Sequence, residues 1–267
     1  MQELKKKYGI VIILDALGAS SYNDEEIKSF LSTRSEVNQI IRDLEINESI
    51  KELYTSLKLS LPNDGLMNKP EIFTFGDTVI LTIELNEERF ISLHIHFVTL
   101  MIARYFFHSF ENGILFRGAF SVGEYIENSE SNTVMGQAVT DAAAWYDKSD
   151  WAGITCTPKT QNILDYYYFS NRKPIDENGY LLIYDVPLKS NKHIRLYTVN
   201  WVAPFYSKEL LENKTQTGLP EEYFLKKLKG FDIPIGTESK LNFTKEYYYY
   251  CKSFEDKREI RFQKENK

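Results

Sequence analysis

The sequence has little of several things that would otherwise place it. Only two cysteines occur in 267 residues, Cys156 and Cys251. They show no metal-ligand spacing, which argues against a disulfide framework or a zinc module and for a reducing compartment. Positive charge is not in excess: 32 Lys and Arg stand against 38 Asp and Glu, a net charge of -6, with a pI near 5.4. The field of the whole chain therefore favours neither nucleic acid nor an anionic membrane as a partner. No apolar run reaches the roughly 18 residues that span a bilayer. The opening MQELKKKYGIVIILDALG mimics a signal peptide, but its apolar run is short, is broken by Asp15 and lacks a small-residue cleavage site. A cytoplasmic protein is expected. Internal repeats and low-complexity tracts are missing too.

What is present is ordinary in bulk, with 43% hydrophobic and 26% charged residues, enough for one large domain or a domain with an appendage. Aromatic residues are plentiful at 14%, with runs at Tyr166 to Phe169 and Tyr247 to Tyr250. Without a basic background, base stacking is the weaker reading of these rings. Packing or an oligomer interface is the stronger one.

Two stretches carry the candidate chemistry. Tyr8 to Ser20, YGIVIILDALGAS, reads as a buried strand with Asp15 at its carboxyl end. The aspartate either serves a site or caps a turn. Pro70 to Glu84, PEIFTFGDTVILTIE, reads as strands over Glu71 to Phe75 and Thr78 to Glu84 around a Gly76-Asp77 turn. A helix follows the first strand: Asn23-Asp24-Glu25-Glu26 has the form of a capping box, and Ile27, Phe30, Leu31, Val37, Ile40, Ile41 and Leu44 recur at helical spacing. The loop from Ala16 through Leu17 and Gly18 to Ser20 would then present backbone N–H groups to an anion, helped by the helix dipole, or be a plain connection.

Further along, Ile46 to Lys69 reads as an insertion or lid, with a helical piece over Ile50 to Leu61 and a turn at Pro62 to Gly65. Arg89 to Phe110 is apolar nearly all round and reads as a buried helix carrying His94, His96 and His108 as core or rim residues rather than metal ligands. A glycine-bearing strand is expected over Gly113 to Gly123, a polar loop over Glu127 to Asn132 and an alanine-rich helix over Gly136 to Lys148. A short strand over Ala152 to Thr157 and a helix over Lys159 to Tyr166 come next. A hairpin over Tyr180 to Pro187 and His193 to Trp201 turns near Ser190-Asn191. After Pro204, Leu210 to Leu228 and Lys240 to Gln263 read as polar helices separated by Gly230 and a Pro234 to Gly236 turn. This order predicts an α+β sheet with helices on one face and a C-terminal helical extension, divided as residues 1–204 and 205–267.

The chain resembles the class III nucleotidyl cyclase catalytic domain over Tyr8 to Trp201. Asp15 in ILDALGAS sits at the family's first metal-binding aspartate, before a phosphate-cradling loop. Asp77 in FGDTVIL matches its second. ILFRGAFSVGEY and VMGQAVTDAAAWYDKSDWAGITCTP resemble the glycine-bearing strand, Gly-led helix and Gly-Ile strand that follow. DVPLKSNKHIRLYTVNW resembles the last hairpin, with Lys189 as the lysine that reaches the triphosphate. There are departures. Phe73 and Thr133 stand at the base-reading positions, and Thr140 and Ala144 where the transition-state Asn and Arg usually lie. The helix pattern G-x-A-x-x-x-A, the VPLK segment and the closing Asn200-Trp201 resemble the pyrimidine cyclases of the bacterial anti-phage system Pycsar.

The resemblance implies a palm/ferredoxin-like cyclase sheet and a lyase that makes cyclic UMP, or cyclic CMP, from UTP or CTP with release of pyrophosphate. It also implies a homodimer and a separate effector that senses the product. Asp15 and Asp77, with the Ala16 carbonyl, would hold two Mg²⁺ or Mn²⁺ ions. Leu17, Gly18 and Lys189 would hold phosphates, and Phe73 and Thr133 would meet the base. Arg117 is a candidate for the missing cation, or a strand arginine paired with Glu124 or a helix carboxylate. A catalytically silent nucleotide-binding protein and a purine cyclase remain the alternatives.

Overall fold

The computed structural model describes residues 6–19, 22–43, 48, 51, 55, 68–85, 91–171, 179–206, 220–231 and 238–265. The expected helical piece at 50–61, the turns at 62–65 and 234–236, and the start of the helix expected from 210 lie wholly or largely outside these residues.

Strand β1 (Lys7–Ala16) is apolar on both sides because both sides are covered. Ile10, Ile12, Leu14 and Ala16 enter the main core, while Val11 and Ile13 enter a smaller one. Alternation puts Asp15 on the side of Val11 and Ile13. β1 lies between β3 (Thr78–Glu84) and β4 (Phe116–Asn128), antiparallel to both. The sheet runs β2 (Glu71–Phe75), β3, β1, β4, β6 (Ile154–Cys156), β8 (His193–Val199), β7 (Leu181–Pro187). Among the described strands only the β4–β6 pairing is parallel. β5 (Thr133–Met135) pairs with the far end of β4.

The expected polar loop at Glu127 is partly strand. β4 runs on to Asn128 and folds back with β5, because side chains beyond the sheet edge need no apolar alternation to pair through their backbones. Glu127 accepts from Lys7 (2.6 Å) and from Thr82, anchoring this hairpin to β1 and β3.

Helices α1 (Asp24–Asp43), α2 (Ile91–Glu111) and α4 (Pro158–Asn171) form the expected layer on one face. The capping box of α1 is present: Asn23 Oδ1 accepts from the Glu25 and Glu26 amides (3.0 Å each), and Glu26 Oε2 accepts from the Asn23 amide (2.7 Å). The apolar stripe of α1 is wider than its buried face. Phe30, Val37 and Ile41 are buried, while Ile27 and Leu31 are exposed.

The opposite face carries the short helix α3 (Gln137–Ala143), whose Ala138 and Ala142 pack on Val11, Ile13, Phe73, Ile80 and Tyr125. Its polar side is pinned by Asp141, which accepts from Ser121 (2.7 Å) and from Thr157, itself the cap of α4. The helix expected to reach Lys148 ends at Ala143. Beyond it the Trp145 and Lys148 amides bond carbonyls three residues back, tightening the chain into turns.

The extension is not a free tail. α5 (Pro220–Leu228) stacks Phe224 on Phe110 of α2 (5.5 Å) and on Tyr248 of α6 (Glu238–Glu265) at 3.9 Å. Tyr247 donates to Thr198 Oγ1 and the Val199 carbonyl and lies edge-on to Trp151 at 4.3 Å. The tyrosine run is thus half core: Tyr247 and Tyr248 are buried, Tyr249 and Tyr250 are not. Each buried ring contributes about 2–3 kcal/mol of apolar burial, which holds α6 on the sheet. Asn200 and Trp201 are structural as well. Asn200 bonds the Gly179 carbonyl (2.6 Å) and Glu255 (2.8 Å), and Trp201 stacks on Phe106 (4.6 Å).

His96 packs edge-on against Phe97 and Tyr180, and burial lowers its pKa. Among the described residues there is no group of three His, Cys, Asp or Glu able to hold a metal, and no helix long and apolar enough to cross a membrane.

Gly136 opens α3 with φ +129°, and a Cβ there would lie 2.8 Å from Tyr125 Cα and 2.9 Å from the Glu124 carbonyl oxygen. The contacts are backbone and cannot swing aside. Gly136→Ala is expected to cost about 2–3 kcal/mol. Urea unfolding measures it, and an unchanged midpoint would show that the α3 entry relaxes freely.

Candidate active site

The site grows from the ends of three adjacent strands. In register across the second face stand Thr78 of β3, Asp15 of β1 and Arg117 of β4. Register partners share a face, so the aspartate lies between a hydroxyl and a guanidinium. Arg117 donates through Nε (3.0 Å) and Nη2 (2.8 Å) to one oxygen of Asp15, Oδ2. Both side chains are largely buried, 14% and 13% exposed, so this pair is screened far less than a surface ion pair. Glu124, the other partner considered for Arg117, pairs with Lys6 at 2.9 Å.

Asp77 arrives on the β2–β3 hairpin. Gly76 takes φ +61°, the positive angle required of the first central residue in a II′-type turn. Arg34 of α1 donates to the Gly76 carbonyl and clamps the tip from outside. The Ala16 amide donates to the Asp77 carbonyl at 3.2 Å. That bond ties the end of β1 to the hairpin tip and sets Asp77 beside the residue that follows Asp15. In an extended strand a residue's N–H and C=O leave on the same side, so the Ala16 carbonyl is also directed at Asp77.

One tyrosine registers both acids and a second registers Asp77. Tyr146, just past α3, has its pKa raised by burial, then by Asp15, Asp147 and Asp77, against the opposing charge of Arg117. Tyr22 has its pKa raised by burial, Glu26 and Asp77.

The loop after β1 differs from the expected anion cradle. The Ala16 and Leu17 amides are engaged by the Asp77 and Leu115 carbonyls (3.2 and 2.8 Å), which leaves the cradle without its first two donors. The cause is that β1 keeps its pairing through the residues where a loop was expected. Gly18 does take a left-handed φ of +84°, and Ser20 lies outside the described residues.

The remaining candidates fall in three places. Phe73 is 1% exposed and packs in the smaller core under α3, so no ring face is open to a base. Thr133 bonds within its own turn to Ser131, while its neighbour Asn132 donates to the Thr74 carbonyl (3.1 Å) and holds the β4–β5 hairpin over β2. Lys189 borders the acidic cluster: its amide bonds the Lys148 carbonyl (3.0 Å) and its Nζ lies 3.5 Å from Asp147. Thus Asp15, Ala16, Asp77 and Arg117 come together, Lys189 lies at the rim, and Phe73 and Thr133 stand on the β2 side.

Arg34, Tyr146 and Lys240 were not legible as site residues. Arg34 sits on the polar side of an amphipathic helix, where arginines are common. Lys240 starts a helix that appeared to be an appendage, yet it feels the charges of Arg117, Asp150, Lys189 and Asp15.

No family model matches this sequence, and no curated protein matches it. Among solved structures the chain is similar to the adenylyl cyclase CyaB from P. aeruginosa, at 12% identity over 74% of this chain and 95% of that one, with a TM-score of 0.37. It is also similar to the catalytic core of a rhodopsin-guanylyl cyclase with converted specificity in complex with ATPalphaS, at 11% identity over 74% of this chain and 98% of that one, with a TM-score of 0.42.

The donor set suits a hard divalent ion. Asp15 keeps Oδ1 outside its bonds to Arg117. The Asp77 side chain is half-buried, and the Ala16 carbonyl points the same way. Two carboxylates and a carbonyl, with the balance left to water and phosphate oxygen, match the preference of Mg²⁺ or Mn²⁺ for oxygen ligands.

Proposed function

We propose that this protein is a nucleotidyl cyclase acting on a pyrimidine nucleoside triphosphate, UTP in preference to CTP, to form the 3′,5′-cyclic monophosphate and pyrophosphate. The observation that carries the reading is the tie between Ala16 and Asp77, which brings the hairpin tip bearing Asp77 to the end of the strand that holds the Asp15–Arg117 pair, with Tyr146 feeling the charge of both acids.

Asp15, Asp77 and the Ala16 carbonyl would hold the metal ions. Bound there, the ions would favour the ionised ribose 3′-hydroxyl and neutralise the triphosphate. The chain's own part is placement and charge. Lys189 binds a terminal phosphate as a point charge. Arg117 would offer its planar donor fork to the phosphate where negative charge grows. Tyr146, just past α3, borders both acids. The pyrimidine preference rests on the sequence resemblance, since Phe73 is core and Thr133 bonds within its own turn.

The same resemblance supports a cytoplasmic homodimer in anti-phage signalling, with a separate effector that senses the product. It also supports the division into a catalytic unit over 1–204 and an extension over 205–267. A second reading, a silent nucleotide-binding protein, is favoured by one feature: the outer side of α3 exposes Thr140 and Ala144, which bring no charge to a transition state.

Incubation with ATP, GTP, CTP and UTP together in Mn²⁺, followed by mass spectrometry, tests both. A cyclic pyrimidine monophosphate with wild-type protein and none with Asp15→Ala is expected. Cyclic AMP or GMP would overturn the pyrimidine assignment. Tight nucleotide binding without product would favour the silent reading.

A further inference from the structure

The first turns of α6 are built into the edge of the candidate site. Ser239 donates to Asp150 (2.8 Å), and Thr244 Oγ1 accepts the Ala152 amide (2.8 Å). The segment they hold is bonded in turn to its surroundings. The Gly118 amide, next to Arg117, donates to the Gly153 carbonyl (2.9 Å). The Asp150 amide donates to the Pro187 carbonyl (2.9 Å), and the Lys189 amide to the Lys148 carbonyl (3.0 Å). One short segment therefore carries the start of α6 on one side and the backbones next to Arg117 and of Lys189 on the other.

Lys240 stands in that first turn, half-buried. The position works against stability. A helix N-terminus carries positive partial charge and disfavours a cation in its first turn. Burial imposes a desolvation cost, and Arg117 and Lys189 add repulsion; together these lower the lysine's pKa against the opposing pull of Asp150 and Asp15. The nearby carboxylates already have partners: Asp15 holds Arg117, Asp147 holds Lys189 and Asp150 accepts from Ser239. Among the described residues Lys240 makes no ion pair. Lys240 thus joins Arg117 and Lys189 as a third cation at the edge of the site without an ion pair of its own, a grouping that an anion would balance.

We propose that Lys240 is a phosphate-binding residue of the active site, so that the C-terminal helix supplies part of the site for the polyphosphate of a nucleoside triphosphate and for the pyrophosphate product. This rests on the cyclase reading for its ligand, but the anion site itself does not require turnover. α6 then has a role in substrate binding and, because its buried tyrosines fix it to β8, the position of Lys240 is set by the core rather than by a loop.

Calorimetric titration with sodium tripolyphosphate, alone and with Mg²⁺, tests this without any chemistry on the nucleotide. Lys240→Gln is expected to weaken binding by about tenfold or more, the loss of one charge-assisted contact. Lys240→Arg should retain most of the affinity, and Lys245→Gln, exposed on the same helix, should match the wild type. In the turnover assay Lys240→Gln should raise KM more than it lowers kcat, with an unchanged or higher melting temperature. Equal tripolyphosphate affinity in wild type and Lys240→Gln, or no binding by the wild type, would overturn the proposal. Binding that depends on Lys240 in a protein that cyclises none of the four nucleotides would uphold the anion site and overturn the cyclase reading alone.

Discussion

Asp77→Ala is expected to abolish turnover in a protein that still folds. The carboxylate sits half-buried on a hairpin tip, and the contact that organises the tip uses the Asp77 backbone carbonyl, which alanine keeps. Arg34 holds the neighbouring Gly76 carbonyl and is likewise unaffected. The stability change should stay within about 1 kcal/mol, as for a substitution outside the packed core. Activity should fall by about a hundredfold or more, because one of two carboxylates able to hold metal is gone. Thermal unfolding and initial rates at saturating nucleotide separate the two quantities. A readout without metal or substrate also exists. Asp77 is among the charges that raise the pKa of Tyr22 and of Tyr146, so both phenols should ionise at lower pH in the variant. Full turnover in folded Asp77→Ala would remove the two-carboxylate assignment.

Arg117→Met should act on stability and on the site together. Asp15 is 13% exposed, and both donors that Arg117 supplies go to a single oxygen. Removing them leaves a largely buried carboxylate without its counter-charge, at a cost of about 2–4 kcal/mol. The double variant Asp15→Asn with Arg117→Met should recover part of that loss, since a neutral amide needs no counter-charge, and the cycle isolates the coupling between the two. Metal binding should move the other way. The guanidinium's positive charge beside Asp15 opposes a cation there, so Arg117→Met should bind Mn²⁺ more tightly while turning over more slowly. Additive stability losses in the cycle would show that the pair is a contact of geometry and not of charge.

The parts of this molecule that follow from neighbouring residues were legible. The strands at Glu71 to Phe75 and Thr78 to Glu84 stand as their apolar runs and the Gly-Asp turn require. The start of α1 stands where a reciprocal Asn and Glu cap can form. The candidate acids were legible for the same reason: an aspartate ending an apolar strand and another beside a turn glycine are short-range patterns. Boundaries were less legible. β4 outruns its apolar stretch because pairing with β5 is a backbone matter, and α3 stops short because the turns after Ala143 are set by docking between β4 and β7.

Sequence by itself determined the element types and their order along the chain, β5 excepted, and the two carboxylates worth attention, since each depends on propensities and periods within a few residues. Tertiary structure alone decided which face each helix covers, that Phe73 is core, that Arg117 answers Asp15 across 102 residues, and that the last helix sets a lysine within the field of Arg117 and Asp15. The reason is register. A pairing shifted by one residue would send Asp15 and Arg117 to opposite faces while leaving every local pattern unchanged, and only the packing of both cores against the sheet selects between the two.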